Sequence, residues 1–387
     1  MSFTESRSDI TTLLENMGFL LRPHSFRLAS LDLTINPASG KGSFSTLFAH
    51  FSKLPVLRTL KLRGLFEWRA PLDARDVISC PLSMTALENL ELGPELDFPA
   101  RYCVEFPALA RLATTFPASR PLADVLDACP ALRDLRLSLG DATGPRRWRH
   151  AESAPTLHAR VGLLRAVRLT DVWGESLPYA LAIFVQQAAH EFGIDFIDID
   201  DALVLRAMGV LAHVPAPVHL EFTTPDERVQ LTTTAGSGQK RVVCLPLTWQ
   251  RSSLDAAVAA VWRAVLPASL DVFSTTWALW IRVCRDLVPA EQLRQLEISL
   301  PTEMPPQPDI PDVHLPGLRT LVLRAGPDAK EKTCVTRSWA QGLILSLLVE
   351  RTLDELLLDD VELTNGEDDP PGTRDWHISY VHSVRYI

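Results

Sequence analysis

The sequence predicts an α/β fold built from repeats, with short parallel strands in one sheet and helices returning the chain outside it. Three observations carry this expectation. A leucine phrase recurs along the chain, its copies mostly fall at steps in the twenties or near thirty, and the segments between copies show helical periodicity.

The phrase is an apolar residue, often Pro, any residue, and then Leu-x-x-Leu-x-Leu. It reads LPVLRTLKL at Leu54 to Leu62, CPALRDLRL at Cys129 to Leu137 and LPGLRTLVL at Leu315 to Leu323. Weaker copies end at Leu92, Ile298 and Leu358, begin at Phe106, or survive as LLRAVRL and IDFIDID. The middle leucines mark Leu60, Leu90, Leu112, Leu135, Val167, Ile197 and Leu220, then Leu270, Leu296, Leu321 and Leu356. These steps lie close to the ~20–29 residues of one leucine-rich repeat. The last two leucines alternate with polar residues, as in a short strand with one buried face.

Return helices are expected at Leu122 to Ala128, Leu177 to His190, Leu203 to His213, Leu254 to Val265, Trp277 to Leu287 and Trp339 to Glu350. A single strand and helix cannot bury their apolar faces alone, so neighbours must stack. The expected architecture is an irregular leucine-rich-repeat solenoid with a curved parallel sheet on the concave side and helices on the convex side. Residues 1–24 form an N-terminal helical cap, 25–363 one continuous solenoid, and 364–387 a C-terminal loop and closing segment. The double-length step from Leu220 to Leu270 holds a candidate strand near Val242 to Leu245.

Composition agrees with a folded chain: 47% of the 387 residues are hydrophobic and 22% charged. The net charge of −9 disfavours a generic grip on nucleic acid, which wants a basic face. Six cysteines are scattered without a Cys-x-x-Cys pair, which suits a reducing compartment, cytoplasmic or nuclear. The polar start does not resemble a secretory signal, and Leu177 to Ala189 is too short to span a bilayer, so no membrane partner is expected.

The phrases LPVLRTLKL, CPALRDLRL and LPGLRTLVL resemble the leucine-rich-repeat region of F-box proteins, particularly the divergent sets of mushroom-forming fungi. RLASLDLTI, Arg27 to Ile35, is similar to the family's first strand after the F-box. The resemblance covers about Ser25 to Leu363. It implies a protein-binding solenoid acting as a substrate receptor in ubiquitin ligation. Two features depart from the family pattern. Leu65, Glu95, Gly140, Pro301 and Gly326 stand where regular repeats carry Asn or Cys, which predicts uneven curvature. Only Met1 to His24 precede the first strand, so a cullin-ligase adaptor is expected as partner only if an F-box lies outside this chain.

Motifs with chemical precedent are weak. Ser39-Gly40-Lys41-Gly42-Ser43 lies between a strand and a helical pattern, as a phosphate loop would. Ile35 occupies the first Gly position and Gly42 the Ser/Thr position, so a strand-to-helix turn is the better reading. Gly236-Ser237-Gly238 reads as a hairpin turn between Val229–Thr234 and Arg241–Leu245. Asp195, Asp198, Asp200 and Asp201 could suggest a hard-cation site, but Ile194, Ile197 and Ile199 are read as the buried register, leaving a solvated face. Arg146 to His150 is a single basic run in an acidic chain. No histidine pair has ligand spacing and no Gly-x-Ser-x-Gly elbow occurs, so no catalytic, cofactor or metal residue is nominated.

What remains is a face for binding a protein. Alternation along each strand names the outward residues. On the N-terminal half these are mostly basic: Lys61, Arg63, Arg111, Arg136 and Arg168, against Asp32, Glu91 and Asp134. On the C-terminal half they are mostly acidic: Asp198, Asp200, Glu221, Asp271 and Glu297, with Phe196 and Phe273 as candidate aromatic anchors. The leading reading is a non-enzymatic protein-interaction module. Its rivals are a nucleotide-binding protein or enzyme using Gly40 to Ser43, and a purely structural scaffold.

Overall fold

Leucines repeating at matched positions align when strands stack in register, and the backbone pairing follows this pattern. The computed structural model describes residues 7–35, 47–51, 53–64, 76–77, 84–93, 96–97, 106–116, 122–140, 155–184, 189–199, 201–212, 214, 217–224, 228–246, 270–284, 291–302, 313–326, 329, 332–348, 352–364 and 380–387. The chain is α/β and divides into two compact units, Met1–Asp198 and Ile199–Ile387. Each is built on a mostly parallel sheet with helices.

The first unit opens with α1 (Arg7–Leu21) and a 3-10 turn, Arg22–His24. Its strands are β1 (Ser30–Ile35), β2 (Thr59–Gly64), β3 (Asp76–Val77), β4 (Asn89–Leu92), β5 (Leu96–Asp97), β6 (Arg111–Thr115), β7 (Asp134–Ser138), β8 (Ala166–Trp173) and β9 (Glu191–Asp198). The described helices between them are α2 (Leu122–Asp127), α3 (Pro155–Val161) and α4 (Leu177–Phe184). The main sheet runs β1-β2-β4-β6-β7-β8-β9, all parallel, while β3 and β5 pair separately.

One row of the ladder reads Leu31, Leu60, Leu90, Leu112, Leu135, Val167 and Phe192, each paired with the next and each buried. The turn that opens the phrase repeats as well. Leu57 N–H donates to Leu54, Leu87 to Met84, Leu109 to Phe106, Leu132 to Cys129 and Leu164 to Val161, all at 3.1 to 3.3 Å. The phrase therefore encodes a turn and a strand together, and its first apolar residue and first leucine are both buried.

Two expectations about register are corrected here. On β9 the inward residues are Phe192, Ile194 and Phe196; Ile197 is half-exposed, and Asp195 lies on the polar face. Phe192-Gly193-Ile194-Asp195-Phe196 is an alternation of its own, one residue out of phase with Ile197-Asp198-Ile199. The earlier alternation sets the register. A bulge on β8 accompanies it, with the pairing shifting between Leu169 and Val172 and Asp171 at φ 56°. Phe196 is fully buried and is not an exposed anchor.

The second unit contains α5 (Asp201–Ala212), β10 (Pro217–Thr223), β11 (Arg228–Ala235), β12 (Lys240–Pro246), β13 (Val272–Thr276), α6 (Trp277–Val283), β14 (Gln295–Leu300), β15 (Thr320–Ala325), β16 (Thr333–Thr336), α7 (Arg337–Leu347), β17 (Leu353–Asp359), β18 (Val361–Thr364) and β19 (Val381–Tyr386). Its sheet runs β12-β11-β10-β13-β14-β15-β17-β19, with β16 and β18 paired separately. The long step after Leu220 is filled by the β11–β12 hairpin, antiparallel to each other and to β10. Gly238, at φ 81°, makes its turn, as the Gly-Ser-Gly spacing predicts. The expected helix at Leu254 to Val265 lies outside the described residues.

The second correction is a slip of three residues on β13. Phe273, not Leu270, joins the row Leu220, Phe273, Leu296, Leu321, Leu356 and Val384. Leu270 is the first leucine of its phrase, equivalent to Leu293 and Leu318, and Phe273 takes the middle position. Phe273 is fully buried, 5.4 Å from Phe222 and 6.4 Å from Trp280 between ring centroids.

Candidate functional site

In-register stacking sets equivalent residues of neighbouring strands about 4.8 Å apart, so side chains on the polar face pair across the sheet. In the first unit the middle row is Asp32, Lys61, Glu91, Ala113, Arg136 and Arg168. Charges alternate here more than composition suggests. Lys61 and Arg63 share Glu91, at 3.6 and 2.6 Å, and Arg111 meets Asp134 at 3.3 Å. Arg168 grips Asp195 with two hydrogen bonds, Nε to Oδ2 at 3.1 Å and a terminal nitrogen to Oδ1 at 3.2 Å. Asp195 is buried, so this planar fork orders it more firmly than the exposed pairs order theirs. Exposed pairs of this kind contribute about 0–1 kcal/mol each.

Subtracting these pairs leaves a smaller basic patch than expected. Arg136 is exposed and has no ion pair among the described residues, and the same holds for Arg133 and Arg165 in the turns leading into β7 and β8. Alternation on the strand could not find Arg133 and Arg165, because they precede it. They align because each backbone carbonyl in this turn accepts from the next repeat, Arg165 N–H donating to Arg133 at 2.7 Å.

In the second unit the middle row is Val242, Thr232, Glu221, Ser274, Glu297, Val322, Leu357 and Arg385. Arg324 is bound to Asp359 at 2.6 Å and Arg385 to Glu355 at 2.9 Å. Asp271 does not stand in this row. The slip on β13 leaves it in the turn before the strand, 3.6 Å from Arg294. Glu297 is held by neutral donors, Ser274 Oγ at 2.9 Å and Gln295 Nε2 at 2.6 Å. His219 Nε2 stands 2.8 Å from the same Ser274 Oγ. Glu221 is half-buried and has no hydrogen bond or ion pair among the described residues. Behind the sheet, Arg241 on β12 is buried, and desolvation lowers its pKa below the ordinary guanidinium value.

The face thus brings together Lys61, Arg63, Arg111, Arg136 and Arg168 in one unit, and Glu221 and Glu297 in the other. It excludes Phe196 and Phe273. Asp198 ends β9, its side chain lying outside the described residues along with Asp200, Gly40 to Ser43, Arg146 to His150 and Glu367 to Asp369. Among the described residues, no group of three His, Cys, Asp or Glu side chains could hold a metal ion, and no helix is long and apolar enough to cross a membrane. Cys129, Cys244, Cys284 and Cys334 are free thiols. No protein-family model matches the chain, and no curated protein matches it.

Proposed function

We propose that the chain is an irregular leucine-rich-repeat solenoid acting as a non-enzymatic protein-interaction module in the cytoplasm or nucleus. The observation that carries this reading is the ordered polar face. Rows of charged and hydroxyl side chains repeat at strand spacing, and unpaired charge gathers at a basic patch (Arg133, Arg136, Arg165) and an acidic one (Glu221, Glu297). In a solenoid such a face lies on the concave side, where these architectures present their binding surface. Free thiols fit a reducing compartment.

Within this class the role is that of a substrate receptor for ubiquitin ligation, with the cullin-ligase adaptor engaged only through an F-box outside this chain. The partner carries acidic groups for the first patch and basic groups for the second. Proximity labelling in cells would identify it. Arg136→Glu with Arg165→Glu should then weaken capture of that protein, whereas charge changes on the helices should leave it unaltered. The opposite pattern overturns the reading. A nucleotide-induced rise in melting temperature would instead support the rival phosphate-loop reading.

A further inference from the structure

We infer that the acidic patch of the second unit is a socket for the side-chain ammonium group of a partner's lysine, a deepening that rests on the interaction-module reading. Three adjacent strands build it. Glu221 on β10 and Glu297 on β14 flank Ser274 on β13, each paired with it in register. On the far side of Glu221 stands Thr232 of β11, its direct antiparallel partner, so both side chains leave the same face of the sheet.

Thr232 is the independent sign of a ligand. It is 2% exposed, and its Oγ1 has no hydrogen-bond partner. Buried hydroxyls are normally satisfied, since leaving one unpaired costs about 1–3 kcal/mol. Here the orphaned oxygen borders a carboxylate that also lacks a partner among the described residues. Glu297, by contrast, is already positioned: Gln295 donates to Oε1 and Ser274 to Oε2. Because Ser274 spends its proton on Glu297, His219 donates through Nε2 to Ser274. Neutral donors orient Glu297 but leave its charge uncompensated. Arg324 and Arg385, farther along this face, are engaged with Asp359 and Glu355.

The acceptors select the ligand. They are spread over three strands instead of lying in one plane, which suits the three divergent donors of an ammonium and mismatches the planar fork of a guanidinium. A bare metal ion would need carboxylates brought closer than strands two apart present them, and no metal-holding group occurs among the described residues. Leu357, half-exposed, continues the row beyond the buried Val322 as apolar surface for a methylene stem. A polyamine would set a second charge against those residues, so a lysine is the better occupant.

The test titrates the full chain with Nα-acetyl-lysine methylamide and follows the Val322 methyl signals by NMR. Saturable shifts are expected with this probe, and at least tenfold weaker ones with its Nε-acetylated form, the matching arginine derivative or spermidine. Glu221→Gln and Glu297→Gln should each weaken binding about tenfold or more. Thr232→Val keeps shape and removes an unpaired hydroxyl, so it should fold with unchanged or higher stability yet bind the probe several-fold more weakly. Tighter binding of the arginine derivative or of spermidine, or equal binding by both Gln variants, overturns the socket. Probe binding that persists while face substitutions leave cellular partner capture untouched would overturn the interaction reading instead.

Discussion

At Gly317 the turn of the LPGL phrase runs against the preceding repeat, where a Cβ would collide with the Glu291 carbonyl oxygen. The equivalent residue is Val56 in the first strong phrase and Ala131 in the second, so the phrase does not itself demand glycine. Gly317→Ala should therefore cost about 1–3 kcal/mol by urea unfolding, as overpacking does. The leucines of the ladder row make the complementary case. Leu60, Leu135 and Leu321 are at most 3% exposed. Leu→Ala at each should cost about 2–5 kcal/mol, and values near zero would mean that the register is wrong. A deleted leucine leaves a cavity between two neighbouring repeats, whereas an added methyl at Gly317 meets backbone that cannot yield.

Among the elements, β8 and α7 differ most from a bare repeat. The β8 bulge places Asp171 at φ 56°, and Ser138 Oγ donates to its carboxylate at 2.5 Å. An L-residue pays about 1–2 kcal/mol for that backbone conformation. Asp171→Ala keeps this cost and loses the hydrogen bond, while Asp171→Gly loses the bond but relieves the backbone. Thermal or urea denaturation should rank Ala below Gly in stability. Helix α7 begins at Thr336, whose hydroxyl accepts from Trp339 N–H at 3.3 Å. Thr336→Ala should cost about 1 kcal/mol, because that donor is then left without its cap. The equivalent Thr276 before α6 makes no such bond, so Thr276→Ala should cost less.

For the molecule as a whole, the prediction concerns charge and association rate. The chain carries −9 net, yet once the paired charges among the described residues are discounted, the polar face of the first unit keeps a basic patch and that of the second an acidic one. Long-range steering by such patches acts mainly on association and fades as the Debye length shortens to about 8 Å at physiological salt. Once a partner is in hand, stopped-flow mixing should show association slowing with added salt. Reversing Arg133, Arg136 and Arg165 should flatten that dependence, whereas reversing Arg63 or Arg111 should change it less, since each already faces an acid. Equal effects from all five would mean that cross-strand pairing does not govern the exposed charge.

The repeat itself was legible in the chain, because stacking forces the same residue class to the same position in every copy. The strong phrases, the hairpin at Gly236 to Gly238 and α7 all followed from periodicity and turn chemistry. Register in degenerate copies was not legible. FGIDF and IDI are both valid alternations, and Leu270 and Phe273 are both plausible middle residues; only pairing with β8, β10 and β14 decides between them. A shift of one or three residues exchanges core for surface, which is why Phe196 and Phe273 moved inside. The candidate site divides the same way. Its strands were readable, but which charges remain unpaired depends on neighbours some thirty residues away in sequence and one strand spacing away in space.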